Sequence, residues 1–240
     1  MSWAYSADPD EIHEVSRWPF HERRGQDEVQ IPSLIDLASD SWGYLIPPES
    51  DPCRWFKLLL LNTEDMQSDV RYSQQLCEAR NKIQAHLGYE SDGVIDVIAR
   101  FLGHIWQHAL EEIAREIEVG VLPLRVAVTI PAIWPNYARE KMKAAVKKAG
   151  ILAHRPVGKT RLILVEEPEA AAMCTLFDRR NYPDIDVRGS DPQRAPLTWV
   201  LTTAPSRSAK ALLSAIAEAV PSWVFSILLQ LPFPRLGIRL

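Results

Sequence analysis

Glu167 follows Arg161-Leu162-Ile163-Leu164-Val165 and precedes Pro168, so a carboxylate stands where a short apolar strand gives way to a helix. A carboxylate in that place can orient a water or a hydrated cation, and it can equally cap the helix. Three other groupings invite chemistry. Gly158-Lys159-Thr160 ends like a phosphate-binding loop, but Ala153 stands where that motif needs its first glycine and a strand follows instead of a helix. His104 and His108, one helical turn apart with Glu111 and Glu112 beyond, have the spacing of zinc ligands. They also flank an apolar stripe, and a polar helix border is the favoured reading. Lys57 interrupts the apolar run Phe56 to Leu60, where a lysine's head can reach back to water.

The elements that must position these residues follow from periodicity. Residues 1–56 hold six prolines among short apolar runs and read as short strands and loops. Glu64 to His86 lacks Gly and Pro and reads as a partly exposed helix carrying Val70, Leu76 and Ile83. From Asp92, the apolar residues Val94, Ile98, Phe101, Ile105, Leu110, Ile113 and Ile117 recur at helical spacing, which predicts a long amphipathic helix ending near Gly120. Arg125 to Ile130 is β-branched and ends at Pro131, as a buried parallel strand would. Asn136 is then expected to cap a helix with Ala138, Met142, Ala145 and Val146 on its apolar side and Gly150 past its end. Arg161 to Val165 reads as a second buried strand, and a helix is expected from Glu166 through Ala172 to about Phe177. Strand, helix, strand, helix makes a right-handed parallel crossover, with Pro131 and Glu167 just past two strand ends, where open α/β sheets bind ligands.

Composition bounds the function. The 240 residues carry 27 Lys and Arg against 31 Asp and Glu, with 47% apolar residues, enough for a core. The charge is uneven: residues 1–178 hold 19 basic and 27 acidic residues, residues 179–240 hold 8 and 4, and 7 of the 18 prolines fall in the latter segment. Neither part has the basic density of a nucleic-acid binder. Cys53, Cys77 and Cys174 form no disulfide framework or Cys-x-x-Cys pair, and Met1 to Asp10 lacks a secretory pattern, so reduced thiols and a cytoplasmic location are expected. Ala211 to Leu231 reaches the length of a bilayer span, but Glu218 and Pro221 interrupt it and argue against insertion.

In order along the chain, Val128-Thr129-Ile130-Pro131-Ala132, Arg139, Ala149-Gly150-Ile151 and Leu164-Val165-Glu166-Glu167-Pro168-Glu169-Ala170-Ala171-Ala172 resemble the nucleotide-binding domain of the seventy-kilodalton heat-shock (Hsp70) chaperones. Trp3 to Ser6 and Arg54 to Leu60 resemble a divergent fungal branch with that domain. The resemblance implies a partial actin-like, ribonuclease-H-like α/β ATPase domain over 1–178, a Pro-rich linker over 179–210 and an apolar tail over 211–240. It implies Mg-ATP as cofactor and substrate, with co-chaperone or other protein partners. It assigns Glu167 to the water and magnesium shell, Lys57 to the catalytic lysine, and Pro131 and Arg139 to the switch that relays nucleotide state. Glu166 and Glu169 replace the family's Asn and Thr, making the surroundings more negative and less welcoming to an anion without magnesium. The family's two phosphate hairpins, Asp-x-Gly-Thr-Thr and Asp-x-Gly-Gly-Gly-Thr, do not occur in the sequence. The expectation is therefore a truncated domain whose ATPase activity is impaired, its residues past Arg180 translated out of the family's frame. The alternative is a non-catalytic interaction module, its tail anchored in a membrane.

Overall fold

The computed structural model describes residues 1–5, 8–20, 30–88, 92–170 and the backbone of 225–229. The sequence's expectations for the linker over 179–210 and for Ala171 to Phe177 lie outside these residues, as does most of the apolar tail. Five strands form one sheet in the order β2-β1-β7-β3-β6: β1 (Ser2–Tyr5), β2 (Asp8–Glu14), β3 (Leu124–Ile130), β6 (Arg161–Glu166) and β7 (Phe225–Leu229). β1 pairs antiparallel with β2, Trp3 opposite His13, and parallel with β7, Ser2 opposite Ser226. A two-stranded hairpin of β4 (His154–Arg155) and β5 (Gly158–Lys159) stands apart from it. Four α-helices are described: α1 (Ser68–Arg71), α2 (Gln74–Leu87), α3 (Gly93–Ala114) and α4 (Asn136–Lys148).

The chain divides into two compact units, one of Met1–Ala127, Trp134–Ile163 and Phe225–Leu240, the other of Val128–Ile133 and Leu164–Val224. The first has its core on α3. Val97, Ile98, Phe101, Leu102, Ala109 and Ile113 are fully buried, a face wider than the stripe read from sequence, while Val94, Leu110 and Ile117 are only half-buried. Phe101 meets Phe56 edge to face at 5.4 Å and Trp42 at 6.4 Å, and Trp42 meets Trp18 at 6.2 Å, an aromatic chain that joins α3 to the N-terminal loops. Gly43, beside Trp42, has a φ of +55°, a left-handed conformation that favours glycine in this turn. Glu112, 5% exposed on α3, is met by Arg17 Nε at 2.8 Å and Arg115 Nη1 at 2.5 Å. Both arginines are more than half exposed, so this buried carboxylate keeps its charge balanced by cations that remain hydrated.

Several boundaries differ from the sequence reading. Glu64 to His86 is not one helix: a 3₁₀ turn at Thr63–Asp65 and the single turn α1 precede α2. Arg71 causes part of this break, since its guanidinium donates to the carbonyls of Glu64 at 3.1 Å and Met66 at 3.2 Å and holds the chain in a turn. α3 stops at Ala114, and Gly120 lies in a separate 3₁₀ turn, Val119–Val121; the carbonyls of Val119 and of Leu122, just past the turn, accept from Arg155. Asn136 is not the cap of α4: Pro135 holds that position in extended geometry, and its carbonyl accepts from Ala138 N at 3.0 Å and Arg139 N at 3.2 Å. β3 is buried as expected, Val126, Val128 and Ile130 having no exposure. β6 is not: Arg161 and Ile163 are exposed and the rest half-buried, and among the described residues it ends the strand order, with β3 as its one neighbour.

Cys53 is buried, and desolvation, only partly offset by nearby Lys82, pushes its thiol up to about 11 from the ordinary 9.0. The unfolded thiol ionises first as pH rises, so the contribution of this residue is complete below pH 9 and is lost as pH climbs through about 11. Urea unfolding over that window is expected to show the wild type losing about 2–3 kcal/mol relative to its Cys53→Ala variant, since each tenfold change in proton affinity is worth about 1.36 kcal/mol. Parallel pH profiles for the two proteins would contradict this.

Candidate functional site

Lys57 lies on a 3₁₀ turn, Phe56–Leu60, that enters from Trp55 in left-handed conformation at φ 61°. Phe56 and Leu60 are sunk in the core, which fixes the turn and leaves Lys57 half-buried on its outer side. Its Nζ stands 5.7 Å from the centroid of the Trp134 ring. Trp134, 4% exposed, also receives Arg139, whose Nε donates to its carbonyl at 3.2 Å. One tryptophan therefore joins the lysine and the arginine that the sequence reading treated separately. A cation over an indole gains about 0.5–2 kcal/mol.

Trp134 was not singled out from sequence. The signal that could have found it was an aromatic residue inside the loop between Pro131 and Arg139, a loop that also carries Ile133 at 86% exposure. α4 is tied further by Tyr137, whose hydroxyl donates to Asp65 and accepts from Asn62 N at 2.9 Å. Desolvation, and then the Asp65 carboxylate, hold the phenol above its ordinary range, so it stays a donor. Lys141, one turn along, reaches the Leu60 carbonyl at 3.3 Å.

Pro131 and Glu167 belong to the other unit. Pro131 immediately follows β3, and Glu167 immediately follows β6, its strand neighbour in the sheet order. The strand runs through Glu166, so the helical turn begins at Glu167, one residue later than expected, and is described as far as Ala170. Glu167 thus stands in the first turn, at the positive end of the backbone dipoles.

The remaining candidates go elsewhere. Gly158 and Lys159 make the β5 strand of the hairpin, and the Thr160 hydroxyl is buried with no hydrogen-bond partner among the described residues, so the three residues do not form a phosphate cradle. His104 Nε2 lies 3.1 Å from Asp40 and its ring stacks on Trp42 at 5.4 Å, whereas His108 Nε2 lies 3.0 Å from the Ser16 carbonyl, its ring 4.7 Å from Trp18. The two imidazoles serve as separate links from α3 to the N-terminal loops. Among the described residues no group of three or more His, Cys, Asp or Glu is placed to hold a metal ion, and no helix is long and apolar enough to cross a membrane.

The chain is similar to heat shock 70 kDa protein 12A of Homo sapiens, 26% identical over 190 residues that make up 72% of this chain and 26% of that protein. Heat shock 70 kDa protein 12B of Homo sapiens is 24% identical over 208 residues, 80% of this chain and 28% of its own. The chain thus spans about a quarter of the length of these relatives. No family profile matches it, and no solved structure matches it. The similarity makes the chain a distant, heat-shock-70-like relative, and its mixed helices and strands with a partly parallel sheet are compatible with part of an actin-like fold.

Proposed function

We propose that the chain carries the lysine, switch and water-positioning parts of a heat-shock-type Mg-ATP site. Glu167 would order the attacking water and the magnesium shell, Lys57 would leave the Trp134 ring to stabilise the transferred phosphoryl group, and Pro131 with Arg139 would relay nucleotide state. The observation that carries this reading is the placement of Glu167 directly beyond the last residue of β6, in a chain similar over most of its length to heat-shock 70 kDa proteins. The four residues fit a nucleotide with its metal by their chemistry: a cation for the phosphoryl charge, a carboxylate for the hydrated magnesium. Magnesium, when bound, would neutralise charge on the phosphates. Phosphoryl transfer rests mainly on positioning and electrostatic clamping. Protein partners and a cytoplasmic setting belong to the same proposal.

Calorimetric titration with Mg-ATP and a radiolabelled hydrolysis assay test it. A Mg-dependent affinity that falls at least about tenfold in Glu167→Gln, at unchanged fold, is the expected result, in line with the loss of a charged contact. A folded wild type without heat or hydrolysis refutes the proposal. That outcome would leave a non-catalytic interaction module, a reading supported by Trp55 and Tyr72, which keep 56% and 74% of their surface in water.

A further inference from the structure

The segment Leu59 to Glu64, helix α2, the start of α3 and Lys141 of α4 line a half-open cavity of about 430 Å³, and none of Lys57, Pro131, Arg139 or Glu167 lines it. Its volume falls within the range of small-molecule sites. Leu59, Leu61, Ile83 and Val94 supply its aliphatic part, about half of the lining, with Asn62, Thr63 and Gln84 among the polar remainder. The charged lining consists of two cations, Arg80 and Lys141, and one carboxylate, Glu64.

The two cations differ in their commitments. Lys141 Nζ is held 3.3 Å from the Leu60 carbonyl, 3.4 Å from Asn62 Oδ1 and 5.1 Å from the Tyr137 ring centroid. Arg80 is half-buried on α2 and has no hydrogen bond or ion pair among the described residues. A guanidinium presents a planar fork of donors that matches a carboxylate in bidentate geometry. A fork left unpaired beside an aliphatic wall suits a ligand with one anionic end and an apolar body. We propose that this cavity binds a medium-chain aliphatic carboxylate of the octanoate class, its carboxylate on Arg80 with support from Lys141, its chain against Leu59, Leu61, Ile83 and Val94. A phosphate dianion suits it less, since it gains nothing from the aliphatic lining and meets the Glu64 carboxylate.

Calorimetric titration of the full chain with butyrate, hexanoate, octanoate and inorganic phosphate tests the assignment independently of the nucleotide proposal. Affinity is expected to rise about fourfold per added methylene, the usual worth of a buried CH₂. Arg80→Gln is expected to weaken octanoate at least about tenfold, as loss of a charge-assisted pair does. Leu61→Asn, should Arg80→Gln fail to fold, is expected to weaken octanoate more than butyrate. Octanoate without heat, affinity independent of chain length, an unchanged Arg80→Gln variant, phosphate binding as tightly as octanoate, or displacement of octanoate by Mg-ATP would each overturn it.

Discussion

Trp134→Ala is expected to destabilise the protein by about 3–5 kcal/mol, the usual cost of truncating a buried tryptophan. The indole is 4% exposed, so its removal opens a cavity between α4 and the Phe56–Leu60 turn. The variant also removes the ring under Lys57, while the carbonyl that accepts from Arg139 remains. Urea unfolding measures the first effect, and Trp134→Phe separates the second: an aromatic face is kept, and most of the stability should return. A Trp134→Ala midpoint equal to the wild type would show that the indole is not part of the core.

Phe101→Ala is expected to cost about 3–5 kcal/mol as well, by a different route. Its ring has no exposed surface and lies against both Phe56 and Trp42, so the substitution withdraws packing from the turn that carries Lys57 and from the N-terminal loops together. Aromatic pairs add about 0.5–1.5 kcal/mol beyond area burial, which places Phe101→Leu well below Phe101→Ala in cost. Thermal unfolding of the two variants checks the order. Equal losses would mean that ring geometry dominates over volume. A double-mutant cycle of Phe101→Leu with Trp42→Leu should show coupling, because the rings touch.

Patterns of regular period are legible in the amino-acid order. The β-branched run Arg125 to Ile130 is a buried strand because an interior strand must be apolar on both faces, and the stripe from Ile98 to Ile113 is a helix because 3.6-residue spacing puts those residues on one side. Boundaries set by side chains reaching across the fold are not legible there. Arg71 folding back on Glu64 and Met66, and Arg155 reaching the carbonyls of the Val119–Val121 turn region, leave no periodic trace. Phe225–Leu229 is the clearest case. Five apolar and small residues within a longer apolar stretch give no sign of a strand, yet their backbone lies between β1 and β3, a pairing settled by sheet neighbours far off in sequence.

The same division holds for the candidate site. Strand ends singled out Pro131 and Glu167, since a residue's type and its distance from a strand end are properties of the chain, and the family resemblance added Lys57 and Arg139. Only the tertiary structure brought Lys57 and Arg139 onto Trp134, and only it lined a cavity with Arg80 and Lys141, residues 61 positions apart in the numbering. Sequence determines which chemical groups are present and the local period that turns them in or out. Which groups meet depends on packing between distant elements, where hydrophobic burial is non-directional and the final contacts are chosen by shape.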